Sequence, residues 1–130
     1  KAKKKFKHNK NANFQHKSID EIRVSNNKKK IFIFKGVFHH LSDKQISLFL
    51  SKLSKDDQVI ALDPFFHKNI SIIGYIMKKL DNGKFIRDEK NYRKILKGFL
   101  LLPKVSYYLR FYSHLLSYKN IPTKIIKKYF

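Results

Sequence analysis

The chain has no cysteine and no tryptophan, one methionine, four glycines and three prolines in 130 residues. Without cysteine there is no disulfide, no thiolate zinc site and no cysteine nucleophile. No uninterrupted apolar run exceeds four residues, as in Phe99-Leu100-Leu101-Leu102, far short of the ~20 that span a bilayer, so no transmembrane segment is expected. Acids are scarce too, with nine Asp and Glu against 30 Lys and Arg. They are scattered, and the tightest clusters, Asp20-Glu21, Asp56-Asp57 and Asp88-Glu89, sit at expected helix starts or loops, where carboxylates complement free backbone amides. Gly-rich phosphate loops, nucleophile elbows and HExxH motifs are all missing. The sequence therefore predicts no enzyme, no cofactor and no small-molecule substrate.

What is abundant is positive charge, unevenly placed. Residues 1–30 hold eleven Lys/Arg against two acids, residues 31–90 ten against seven, and residues 91–130 nine against none, which gives +9, +3 and +9 and sums to +21. Solubility of a small domain needs a net charge of only about 2–8. A larger excess repels itself in the compact state unless a polyanion neutralises it. Apolar residues still make up 42 % and aromatics 15 %, so a core is expected and the length fits one domain. Heavy use of Lys, Asn, Ile, Phe and Tyr is what AT-rich codons yield. With a Lys-rich opening compatible with the remnant of an organellar address, this suggests a mitochondrial protein.

Along the chain, residues 1–17 contain seven lysines and no apolar period, and residues 1–27 read as an extended basic arm, with Phe6 and Phe14 available to stack on bases. Residues 28–130 read as a small, mainly helical domain. Ile31-Phe32-Ile33-Phe34 and Gln58 to Leu62 look like short strands. Between them Ser42-Asp43-Lys44-Gln45 is a capping box that starts a helix with the stripe Ile46, Phe49, Leu50 and Leu53, which makes a β-α-β-like element. After Pro64 the period is helical. Ile73, Ile76, Met77 and Leu80 form a face stopped by Asn82-Gly83. Asp88 caps a helix with stripe Tyr92, Ile95, Leu96 and Phe99. Pro103 opens a long helix carrying Val105, Tyr108, Leu109, Tyr112, Leu115 and Leu116. After Pro122, Thr123 starts a last turn, a short basic C-terminal tail. The expected fold class is mainly α with a small β-α-β-like element, a basic N-terminal arm and a basic C-terminal tail.

Two site readings follow. His39, His40 and His67 are the one set that imidazole chemistry offers for a metal, but no cysteine or suitably spaced carboxylate completes it, and no metal is expected. Nucleic-acid binding is the stronger reading, because basic residues lie off the apolar stripes and lysine far outnumbers arginine. That balance favours backbone contact and RNA shape over bidentate base readout. The expected contacts are Lys3, Lys4, Lys5, Lys7, Lys28, Lys29, Lys30, Lys84, Arg93, Lys94, Lys124, Lys127 and Lys128.

Residues 63–84, DPFFHKNISIIGYIMKKLDNGK, resemble the N-terminal region of small-subunit ribosomal protein seven, in which an Asp-Pro opens a helix bearing aliphatic residues and a Met that runs into a Gly-Lys loop. Asp63, Pro64, Ile73, Ile76, Met77, Gly83 and Lys84 carry the resemblance. Phe85 replaces a second lysine, and the family's Arg-rich Val-Gly-Gly segment has no counterpart. The resemblance implies binding to small-subunit head RNA. Together with the charge it leads to the expectation of a structural protein of the mitochondrial ribosome, with ribosomal RNA and neighbouring ribosomal proteins as partners. The alternatives are an accessory subunit of a membrane-associated complex contacting anionic lipid, and a DNA-binding protein.

Overall fold

The computed structural model describes residues 10–11, 13–24, 28–67, 71–105 and 113–129. Strand β1 (Ile31–Lys35) leads through a 3-10 turn, Phe38–His40, into helix α1 (Asp43–Ser51) and then strand β2 (Gln58–Phe66). Next come α2 (Ile72–Leu80), the two-residue β3 (Arg87–Asp88), α3 (Glu89–Ile95), β4 (Leu100–Val105), β5 (Ser113–Lys119) and α4 (Thr123–Tyr129). The sheet order is β1-β2-β5-β4, with β3 paired to the end of β2. β1 and β2 are parallel, with Ile31 opposite Gln58, and β5 runs antiparallel to both β2 and β4. A parallel pair requires a crossover, and α1 supplies it.

Local signals act where the sequence puts them. Ser42 Oγ accepts from the Gln45 amide at 3.3 Å and Gln45 Oε1 accepts from the Ser42 amide at 3.1 Å, closing the capping box. Asp88 Oδ1 caps α3 through the Asn91 amide at 2.7 Å. From α1, Ile46 and Phe49 are buried, and Phe49 meets Phe32 and Phe34 edge to face at 5.4 and 5.3 Å. Tyr92 of α3 and Leu96 just after it join Phe38, Ala61, Phe65, Leu101 and Leu115 in the main core. On the opposite face α4 lays Ile126 on Leu116 and Tyr118. Burying each of these large side chains stabilises the fold by about 1.5–3 kcal/mol.

The expectation of a mainly helical domain is overturned by this five-stranded mixed sheet. The long helix expected from Pro103 to Leu116 is a pair of antiparallel strands, with Pro103 opposite Leu115 and Leu101 opposite Ser117. Short apolar runs such as Leu100–Leu102 and Leu115–Leu116 fit either period, and cross-strand pairing decides between them. Tyr108, Leu109 and Tyr112 of that stripe lie outside the described residues. Pro103 sits on the edge strand β4, where a missing N–H is tolerated. Pro64 is likewise strand rather than helix entry. It falls between Leu62, the last residue paired to β1, and Phe65, the first paired to β3. The Asp63-Pro64 that carries the ribosomal resemblance thus lies within β2 and opens no helix.

Of the arm, residues 1–9, 12 and 25–27 lie outside the described residues. Its described part packs on α1: Ile19 is buried, and Gln45 Nε2 and Lys52 Nζ donate to Asp20 at 3.1 and 3.2 Å.

Candidate functional site at the carboxyl edge of the sheet

Because β1 and β2 are parallel, their carboxyl ends open on one edge, and the chain fills it with ionisable groups. Gly36, at φ +64°, a backbone angle that favours glycine, turns the chain out of β1 while its amide donates to Leu62 O at 2.8 Å. The following 3-10 turn buries His39. Its backbone N–H and its ring Nδ1 both reach Asp63 Oδ1, at 3.2 and 3.0 Å. An ionised carboxylate only accepts, so the tautomer that satisfies this contact is the one with its proton on Nδ1. Asp63 is itself buried on β2, and its Oδ2 has no hydrogen-bond partner among the described residues.

The loop after α2 closes over the imidazole. Asp81 Oδ1 lies 3.7 Å from His39 Nε2, Phe85 donates to His39 O at 2.9 Å, and a Cβ on Gly83 would stand 2.1 Å from His39 Cδ2. Glycine is required there by contact. Arg87 then ties the whole edge together. Its guanidinium donates to Phe38 O at 2.9 Å, Phe85 O at 2.8 Å, Leu41 O at 2.6 Å, and to Asp43 Oδ1 at 2.7 and 2.9 Å. Its five donors match a fixed fork that lysine could not replace.

Three groups at this edge have altered proton affinity. Lys78, on the inner side of α2, donates to Phe65 O and lies over the Phe65 and Phe66 rings at 5.6 and 5.8 Å. Burial pulls its ammonium down to about 8. The Tyr92 hydroxyl, which donates to Pro64 O at 3.3 Å, is pushed up by burial and then by the charge of Asp63, so it stays neutral. His114, opposite Pro64, is held below its usual value by burial first and the Lys78 charge second. Such a cluster of shifted groups at a sheet edge marks a functional-site candidate.

Beside it lies a cleft of about 560 Å³ lined by Phe65, Phe66, His67, Tyr75, Asp88, Glu89 and Lys90. The Phe66 and Tyr75 rings are 5.8 Å apart. Asp88 Oδ1 is engaged by the Asn91 amide and Glu89 Oε1 by Arg93, which leaves Oδ2 and Oε2 as acceptors.

The sequence-derived contacts lie elsewhere. Lys28 and Lys29 are exposed just before β1, at the amino edge of the sheet. Lys30 is half-buried, with its amide on Asp57 Oδ1 at 3.0 Å. Lys124, Lys127 and Lys128 are exposed on α4, and Arg93 and Lys94 on α3, where Arg93 pairs with Glu89. Lys84 is exposed after α2. Lys3, Lys4, Lys5 and Lys7 lie outside the described residues. The three histidines considered as metal ligands do not converge. His39 is engaged with Asp63, His40 is exposed with its ring 4.0 Å from that of His39, and His67 lies in the cleft edge-on to Phe65. Among the described residues no three His, Asp or Glu side chains are grouped to hold a metal. Sequence reasoning missed Lys78, Arg87, Phe66 and Tyr75, because pairing distant in sequence brings them to this edge. The available signal was the Gly36 to His40 turn at a strand end. No helix among the described residues is long and apolar enough to cross a membrane. No protein-family model and no curated protein matches the chain.

Proposed function

We propose that the chain is an α/β ligand-binding domain that takes a nucleoside-type small molecule in the cleft at the carboxyl edge of its sheet. The observation that carries this is the cleft's position and lining. Ligands of open α/β sheets bind outside the carboxyl ends of the strands, and a mostly aromatic pocket with a few convergent polar groups is the usual composition. Phe66 and Tyr75, tilted by 42° and with Lys78 and Lys79 over their rings at 5.8 and 5.6 Å, line the cleft with aromatic surface against which a planar base packs, a contact of about 1–3 kcal/mol per stacked base. Asp88 Oδ2 and Glu89 Oε2 accept from sugar hydroxyls, and Lys90 faces any phosphate. Calorimetric titration with adenosine, guanosine, cytidine and uridine tests it. At least one binds, and Phe66→Ala and Tyr75→Ala each weaken it by roughly tenfold. Absence of binding by all four at millimolar concentration contradicts the assignment.

The lysines favour a second reading, a structural constituent of the mitochondrial ribosome that contacts ribosomal RNA and neighbouring ribosomal proteins. Lys28, Lys29, Lys84, Arg93, Lys94, Lys124, Lys127 and Lys128 are all exposed, as phosphate contacts must be. Lysine-to-RNA crosslinks mapped by mass spectrometry in the native particle would fall on these positions. A chain that never co-sediments with ribosomal particles excludes the reading.

A further inference from the structure

Helix α2 is built inside out. At 100° per residue, Ile72, Ile76, Leu80, Ile73 and Met77 cover one continuous arc of about 140°, with Gly74 and Lys78 on the opposite side. A helix packed on its own core turns such an arc inward. Here the buried residues are Gly74 and Lys78, while Ile72 is 80 % exposed, Ile73 54 %, Ile76 50 %, Met77 43 % and Leu80 77 %. The inner face explains the orientation. Ser71 Oγ caps the helix through the Gly74 amide at 3.1 Å, Gly74 is buried, and the Lys78 Nζ lies over the Phe65 and Phe66 rings and donates to Phe65 O. Five large aliphatic side chains are thereby left in water on one convex ridge, and a patch of that kind marks an interaction surface.

We propose that α2 lies in the interface of an anionic lipid membrane, with this arc sunk among the acyl chains. Charge selects the occupant. The chain carries +21, the exposed Lys79 borders the arc on the helix and the exposed Lys84 follows it in sequence, and the carboxylate next in sequence, Asp81, is engaged by the Gly83 amide at 2.6 Å and faces His39. Tyr75 and Phe85, 47 % and 37 % exposed, suit the headgroup level. Nine residues reach only about 14 Å, so the helix lies along the surface and does not span it, and anionic lipid supplies both the apolar interior and the countercharge the ridge lacks.

Because the chain has no tryptophan, Ile76→Trp in the full chain is a clean reporter. Phosphatidylcholine vesicles containing phosphatidylglycerol should shift its emission to the blue, and brominated lipid should quench it. The double variant Ile76→Glu/Leu80→Glu, exposed at both sites and so keeping the parent's far-UV circular dichroism, should lose roughly tenfold or more of its sedimentation with these vesicles. Equal sedimentation of parent and double variant would show that charge alone attracts the chain and would overturn the proposal. So would a blue shift that appears without vesicles and grows with protein concentration, since the arc would then be covered by a second copy.

Discussion

At the carboxyl edge of the sheet ionisable groups are taken inward. His39, Asp63, Lys78 and Arg87 are all buried, and hydrogen bonds from distant segments hold them. At the amino edge charge is left in water: Lys28, Lys29, Lys55 and Lys124 are exposed, and the buried group there, Asp57, holds backbone. Its carboxyl accepts from the Ser54 and Lys30 amides, which keep it below the usual carboxylate range. Asn120, at φ 59°, closes the same edge by donating to Lys55 O and Asp57 O at 2.7 and 2.8 Å. Buried charge positions groups against one another and is costly to disturb, whereas exposed lysine contributes little to stability but retains its full donor capacity for a partner. The small ligand is proposed for the first edge and the polyanion for the second.

Mutations separate the two edges by magnitude. Arg87→Met leaves the carbonyls of Phe38, Leu41 and Phe85 without their donor, and urea denaturation should show a loss of about 3 kcal/mol. Gly83→Ala drives a methyl into the His39 ring, and the same assay should lose about 2 kcal/mol as the ring gives way. Lys78 gives a pH signature. Its folded value is about 8 against 10.5 in the unfolded chain, so between those values the unfolded state binds more protons and stability rises with pH. Above pH 10 the raised Tyr92 opposes the rise. Unfolding free energies measured from pH 7 to 10 should climb in the parent and climb less in Lys78→Met. At the amino edge, Lys28→Ala/Lys29→Ala should change stability by no more than about 0.5 kcal/mol. The salt dependence of binding to structured RNA should nevertheless fall by about one unit of slope per lysine that contacts phosphate.

Much of the local structure was legible in the residues, because capping is local chemistry: Ser42 with Gln45 and Asp88 with Asn91 are decided within one turn. The β1-α1-β2 unit was legible for the same reason, since Ile31–Phe34 and Val59–Leu62 are β-branched and aromatic runs separated by a capped helix. The β4–β5 pair was not. Leu115, Leu116 and Tyr118 fit a helical stripe as well as a strand, and Leu101 opposite Ser117 is a contact between residues 16 positions apart. The period of α2 was readable but its direction was not, because a stripe does not say which side meets the core. In this helix the bond from Lys78 to Phe65 O sets that direction. The candidate site was hidden for a related reason. Asp63 and Asp88 read as caps or turn residues, and only the parallel pairing of β2 with β1 and β3 brings both to one edge with His39 and Arg87.

The contrast between the edges is tested most directly by amide chemical-shift mapping of the ¹⁵N-labelled chain during titration with adenosine, an uncharged nucleoside that exposed lysines do not attract. Shifts should concentrate at Phe65, Phe66, His67, Tyr75, Asp88, Glu89 and Lys90, with Lys28–Lys30 and α4 unmoved. Shifts centred on the amino edge or α4, or no shifts with adenosine, guanosine, cytidine or uridine at millimolar concentration, would contradict the assignment of ligand binding to the carboxyl edge.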